Sequence, residues 1–357
     1  MGDNQLAKKW RLGYTAGANI MYLKFEQLSA SVQNMLEKDN WIFNTGNKLT
    51  SALDDGHSRA MYSAFASAQL AYDEWLSLDI TARNDWSSTL PKKNNSFFYP
   101  SASLSWVFSD FMRSIDHKLP SWITFAKLRV SAAQVGKDPA PYNLYNVRKY
   151  QFEMGNRKPI NNTIKLNANL KPEIKTSYEV GVDMKFLDNR LGFDFTYYYN
   201  TTKNQAMLVD ASSPWTQQWV NAGKINNTGV EFMLYGTPVK TRDFQFDITA
   251  NLAHNSSTVK ELADGVNRVY FAGDSNMPVK VGAVKGGKLG DIFANNLMQR
   301  DAQGRVIIGA DGLPLAATGD GNLEQYLLDH PIGNIQPDLL MSITPTFTYK
   351  GISLTAM

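Results

Sequence analysis

SYEVGVDMKF, residues Ser177 to Phe186, and LGFDFTYYYN, residues Leu191 to Asn200, read as the two arms of one amphipathic hairpin. In the first arm Tyr178, Val180, Val182, Met184 and Phe186 alternate with Ser177, Glu179, Gly181, Asp183 and Lys185. After the turn Leu187-Asp188-Asn189-Arg190 the apolar series restarts with Leu191, Phe193, Phe195, Tyr197 and Tyr199. Pairing Phe186 with Leu191 places Met184 by Phe193, Val182 by Phe195 and Val180 by Tyr197. Because side chains alternate across a strand, this register gives an antiparallel pair with one apolar and one polar face. About nine residues at ~3.3 Å each reach roughly 30 Å, which at a ~45° tilt matches the apolar band of an outer-membrane barrel. The expectation is an all-β fold, part of a large transmembrane β-barrel.

Composition allows this and removes competitors. Of 357 residues 43% are hydrophobic, which looks soluble, but a barrel with a polar lumen and polar loops has the same balance. No run of about 18 apolar residues occurs, so a helical membrane protein is excluded. A net charge of +3, with scattered basic residues, gives no nucleic-acid footprint. With no cysteine there is neither a disulfide framework nor a thiolate metal site. MGDNQLAKKWRLGY lacks the apolar centre of a secretory signal and runs directly into a strand. Gly351–Met357 stops in mid-pattern, so both ends read as cut from a longer chain.

The same alternation recurs along the chain, over Trp10–Tyr22, Leu76–Ala82, Ala102–Phe108, Leu128–Ala132, Val230–Leu234, Phe244–Leu252, Leu339–Tyr349 and Ile352–Leu354, with a weaker strand over Met61–Ala71. With the hairpin this makes about 11 strands. Their connections take turns in length. Tyr72–Trp75, Asp110–Ile123, Leu187–Arg190, Gly236–Asp243 and Lys350-Gly351 are the shorter set. Lys24–Ala60, Asn84–Tyr99, Gly136–Lys175, Thr201–Asn226 and Ser256–Asp338 are the longer set. Strands crossing a bilayer, with periplasmic turns on one side and extracellular loops on the other, produce this rhythm. A soluble β-sandwich also alternates apolar and polar residues, so a soluble all-β carbohydrate-binding protein stays open, as does a passive porin or a siderophore receptor.

Several long stretches resemble the SusC/RagA-type TonB-dependent outer-membrane transporters. They are YDEWLSLDITARNDWSSTLP (72–91), SFFYPSASLSWVFSDF (96–111), FAKLRVSAAQVGKDPAPYNLY (125–145), NLKPEIKTSYEVGVDMKFLDNRLGFDFTYYYNTTKNQ (169–205), WVNAGKINNTGVEFMLYGTPVKT (219–241) and IGNIQPDLLMSITPTFTYKGISLT (332–355). The resemblance implies a 22-stranded barrel around an N-terminal plug, with residues 1–357 belonging to the barrel domain and with the plug, signal peptide and final strands outside them. It further implies active import of oligosaccharides or peptides, energised through TonB, under a SusD-like surface lipoprotein, by a protein that is not an enzyme and carries no cofactor.

The site residues expected on this reading fall into three groups. Tyr178, Val180, Val182, Met184, Phe193 and Phe195 should face lipid, and Glu179, Asp183, Lys185 and Asp194 the lumen. Tyr142, Tyr145, Tyr150, Trp215 and Trp219 lie in the long connections, where rings can stack on a sugar or join an interfacial girdle. Glu179 and Asp183 share a polar face, but water in a lumen explains them more simply than paired catalytic acids do. His57, His117, His254 and His330 form no HxxxH or HExxH pattern. Lys285–Gly290 is glycine-rich without the GxxxxGK[ST] arrangement of a phosphate cradle, and reads as the start of a loop. Gly319-Asp320-Gly321-Asn322 resembles a calcium-loop-like NGDG stretch of the same family. Thr318, Gly319 and Leu323 stand where further oxygen ligands are needed, so a plain turn and no metal is the expectation.

Overall fold

The computed structural model describes residues 1–35, 39, 46–117, 119–145, 149–153, 156–160, 163–272, 279–294, 298–316 and 330–357. Twelve strands form one sheet. They are β1 Gly2–Ala7, β2 Trp10–Met35, β3 Gly46–Tyr72, β4 Leu76–Ser87, β5 Ser96–Val107, β6 Ile123–Lys137, β7 Glu173–Phe186, β8 Leu191–Lys203, β9 Lys224–Lys240, β10 Phe244–Glu261, β11 Leu340–Tyr349 and β12 Ile352–Thr355. Each pairs antiparallel with the next in sequence, so the sheet is a pure meander.

The central hairpin has the register its apolar residues require. Phe186 pairs with Leu191, Met184 with Phe193, Val182 with Phe195 and Val180 with Tyr197. Its turn holds Leu187, Asp188 and Asn189 at positive φ, a conformation that suits Asp and Asn better than Leu. The Arg190 N–H closes the turn on the Leu187 carbonyl at 3.1 Å.

Four features depart from the sequence reading. The sheet has twelve strands, the additional one being β1, whose GDNQLA carries little alternation. It is joined to β2 by five rungs and by an Asp3–Arg11 ion pair at 2.5 Å. Most of Lys24–Ala60 is not a connection but the continuation of β2 and β3, whose rungs run on to Met35 opposite Gly46. Phe108 leaves the sheet and begins a short helix α1, Phe108–Ser114, on the short-turn side. The connection between β4 and β5 narrows to 88–95, because both strands extend further than their apolar residues do. The long connections carry small sheets of their own. Ala206–Asp210, Gln217–Asn221 and Ile164–Lys165 form one, Lys149–Glu153 pairs with Asn156–Ile160, and Arg268–Ala272, Val279–Val284, Asp291–Ala294 and Gly333–Asn334 form another.

Burial is inverted relative to a water-soluble sheet. Large apolar side chains stand exposed along one face, among them Ile20 at 72%, Tyr22 at 66%, Tyr178 at 55% and Met341 at 67%. Ser63, Asp85, Ser87, Asn200, Thr202 and Ser257 are buried instead. A continuous exposed apolar surface on this scale marks contact with an apolar medium or partner. Aromatic rings gather on that face near the short turns. Trp10 meets Tyr72, Tyr72 meets Trp75, and Trp75 and Trp106 meet Phe111, while Trp122, Phe186, Phe193 and Phe232 continue the series. No helix among the described residues is long and apolar enough to cross a membrane.

Candidate functional site

The polar face of the sheet is held together by side chains that reach across glycines. Arg129 on β6 crosses over Gly181 on β7, where a Cβ would collide with its guanidinium. It donates to both carboxylate oxygens of Asp194 on β8, at 2.7 and 2.5 Å, and to Thr196 Oγ1 at 2.6 Å. Tyr198 on β8 repeats the device, lying over Gly229 on β9 and donating to Asn255 Oδ1 on β10 at 3.0 Å. Tyr235 on β9 covers Gly192 on β8. A strand glycine with no side chain of its own is where a neighbour can approach the backbone closely. Asp183 lies on this face opposite both Asp194 and Lys127, Glu179 lies opposite Tyr198 and Ser131, and Lys185 sits over the Phe125 ring at 5.2 Å.

A second polar assembly sits at the long-connection end. The Asp138 carboxylate is buried just beyond β6 and receives Arg59 Nε and Nη2 from β3 at 2.9 and 2.5 Å. It also accepts from the hydroxyls of Ser87 at 2.5 Å and Thr89 at 2.8 Å, so three donors converge on Oδ2 and one on Oδ1. Beside it a pocket of about 380 Å³ is walled by Pro139–Pro141, Ala206 and Trp219, with Lys137, Lys171 and Glu173 at its charged side. Glu173 pairs with Lys137 across β6 and β7. Burial pushes the Glu173 carboxyl above its ordinary value, against the opposing pull of Lys137. Trp219 is backed by the apolar cluster of Leu90, Phe97 and Leu170.

The aromatic residues singled out from sequence are not all brought together. Trp219 lines the pocket. Tyr142 follows its proline wall, at positive φ, and its hydroxyl accepts the Ser58 N–H at 3.2 Å. Tyr145 stands exposed, and Trp215 occupies the turn before Gln217–Asn221, outside the pocket lining. Tyr150 belongs to Lys149–Glu153, and its side chain lies outside the described residues. Arg59, Lys137, Asp138, Lys171 and Glu173 escaped sequence reasoning. Their one local signal was Lys137-Asp138-Pro139-Ala140-Pro141, where two prolines stiffen the exit from a strand.

The histidines at 57, 117 and 254 sit in separate surroundings. His57 stacks on Phe25, His117 follows α1, and His254 Nδ1 lies 2.5 Å from the Asp338 carbonyl. Among the described residues no cluster of His, Asp or Glu has the makings of a metal site. Gly319–Asn322 lies outside the described residues. Gly286 and Gly290 take positive φ in the turn between Val279–Val284 and Asp291–Ala294, so the glycine-rich stretch serves a turn.

Comparison with known proteins accounts for the sheet. A family model described as TonB dependent receptor-like, beta-barrel matches residues 3–285. The chain is 26% identical over 296 residues to TonB-dependent receptor SusC of Bacteroides thetaiotaomicron, covering 77% of this chain and 28% of that protein. It is 24% identical over 315 residues to TonB-dependent receptor P3 of Formosa agariphila, covering 82% of this chain and 31% of the relative. Among solved structures, that of the RagAB peptide transporter superposes with a TM-score of 0.76 at 21% identity, over 99% of this chain and 39% of that one. The chain thus spans under a third of the length of these curated relatives. With a family match over most of its residues and a twelve-stranded meander that superposes on such a transporter, the chain belongs to the TonB-dependent receptor β-barrel family, outer-membrane receptors rather than enzymes.

Proposed function

We propose that the full-length protein imports large nutrients, oligosaccharides or peptides, across the outer membrane, energised through TonB and covered by a SusD-like surface lipoprotein. The observation that carries this reading is the inverted sheet, apolar and exposed on one face and ion-paired on the other. In a closed barrel every backbone group is satisfied within lipid, and the polar face lines a wet lumen. On this reading Tyr178, Val180, Val182, Met184, Phe193 and Phe195 meet lipid, with the aromatic rings near the short turns forming the periplasmic girdle. Glu179, Asp183, Lys185 and Asp194 face the lumen, and the long connections carry recognition. The lipoprotein partner and the saccharide class follow from the SusC/RagA-type motifs. The peptide class has the further support of the transporter named above.

The test is uptake by cells carrying or lacking the full-length gene, with labelled oligosaccharides and peptides larger than porins admit. Uptake that needs both the gene and a functioning TonB complex is the expected result. Uptake that persists without TonB would make the protein a passive pore.

A further inference from the structure

The charges of the pocket beside Trp219 do not cancel. Arg59 is matched by Asp138, whose carboxylate accepts from the guanidinium and two hydroxyls. Lys137 stands across the strand pair from Glu173. Neither Lys137 nor Lys171 makes an ion pair among the described residues, so three cations face two carboxylates and the pocket carries a surplus positive charge, with Lys171 the lysine that has no carboxylate across the ladder from it. Its backbone is gripped from both sides by one amide. The Lys171 N–H donates to Asn221 Oδ1 at 2.7 Å, and Asn221 Nδ2 donates to the Lys171 carbonyl at 2.8 Å. Asn221 is two residues from Trp219 on the strand Gln217–Asn221, so the two side chains share one side of it. A single strand therefore presents the indole and holds the backbone that carries the ammonium, while packing on Leu90, Phe97 and Leu170 fixes the indole from behind.

We propose that this pocket takes a carboxylate-bearing solute, with its carbon frame on Trp219 and its carboxylate facing Lys171. The inference deepens the import reading above and rests on it. A volume of about 380 Å³ is ligand-sized, and a wall divided between apolar residues (Pro139–Pro141, Ala206, Trp219) and charged ones suits an amphipathic group. A neutral solute leaves the surplus cation unmatched, and an amine is repelled by it. Two kinds of nutrient supply such a group, a uronate-containing oligosaccharide and a peptide with an acidic side chain.

The experiment is a titration of the full-length transporter in detergent with two matched pairs of probes. The first pair is trigalacturonate and its neutral methyl ester, and the second a Glu-containing tetrapeptide and its Gln analogue, both capped at their ends. Binding is read by calorimetry on wild type, Lys171→Gln, Lys171→Arg and Trp219→Phe, each first checked for a folded barrel by gel mobility with and without heating. In one pair or both, the anionic member should bind wild type about tenfold tighter than its neutral partner, and the pair that responds identifies the source. That preference should vanish in Lys171→Gln and survive in Lys171→Arg, while Trp219→Phe should weaken both members of the responding pair. Equal binding within both pairs, or a preference that outlives Lys171→Gln, overturns the carboxylate assignment and leaves the import reading standing. Failure of all four probes to bind wild type overturns the assignment and also counts against saccharide or peptide recognition by this pocket.

Discussion

The central hairpin β7–β8 and the long hairpin β2–β3 are made of the same antiparallel ladder, yet only one is plain in the sequence along its whole length. In β7–β8 apolar alternation runs from the turn at Phe186 and Leu191 to Tyr178 and Tyr199, near the last rung at Ile174 and Lys203. In β2–β3 it fades after Tyr22, while the rungs continue to Met35 and Gly46. Alternation therefore records the medium on one side of the sheet, not the presence of hydrogen bonds. Where both faces meet water, the period of two loses its cause, but backbone donors and acceptors still need partners and the ladder supplies them.

The sharpest way to break this comparison is to place a charge on each face of the central hairpin. An arginine on a lipid face near the bilayer midplane costs roughly 2–4 kcal/mol. Val182→Arg and Phe195→Arg should therefore reduce the folded fraction of the full-length protein in lipid vesicles far more than Asp183→Arg. Asp194→Arg should fall between them, because it also strands Arg129. Equal losses at positions 182 and 183 would refute the assignment of faces.

The next effect belongs to the loop end. Asp138→Asn removes the carboxylate that holds Arg59, Ser87 and Thr89, and a hydrogen bond to a charged group is worth about 1.5–3 kcal/mol. Limited proteolysis within 138–172 should accelerate while the barrel itself stays folded. Unchanged cleavage would mean that the cluster does not anchor that connection.

A smaller effect is expected from pH. The folded-state carboxyl of Glu173 is pushed above 4.5 by burial, so folding favours its protonated form. Its contribution to stability is fully present below 4.5 and is lost as pH rises through the raised folded value. Over the same interval protonation removes a negative charge facing Lys137 and lying beside Lys171 and the Arg59–Asp138 pair. Binding of an anionic probe should then strengthen as the pH falls, by less than about tenfold, equivalent to ~1.4 kcal/mol. A Glu173→Gln protein should bind with a flatter profile, and an unaltered profile would exclude Glu173 as the titrating group.

Gly181→Ala should act more weakly still. A methyl group there displaces Arg129 from its path to Asp194, and a partly exposed pair of this kind is worth about 0.2–1 kcal/mol. The measurement is a denaturant midpoint beside that of Asp194→Asn, and the double mutant should lose no more than either single one. Least of all should follow from removing residues 27–30 together with 52–55, four rungs of the upper β2–β3 ladder. An even number of residues preserves the faces below, so the folded fraction in vesicles should stay within about 0.5 kcal/mol of the parent. A large loss would place the apolar zone higher on this hairpin than its alternation does.

Local sequence determined the antiparallel order of the sheet, the apolar and polar sets of residues on β7 and β8, the register of β7 against β8 and the side on which the long connections lie. It did so because a period of two beside an apolar boundary is satisfied by one register only, and a slip of one residue would turn every apolar side chain toward water. Tertiary structure decided the rest. β1 is a strand because five rungs to β2 and the Asp3–Arg11 pair hold it, although GDNQLA has almost no pattern. The bridge from Arg129 to Asp194 exists because Gly181 leaves the intervening strand bare, which no spacing along β6 reveals. Trp219 could be suspected from its residue type, but Lys171, Arg59 and Asp138 acquired their roles only when three connections met above the sheet. A buried carboxylate and an unmatched ammonium are properties of what surrounds them in space, and such contacts leave no period in the chain.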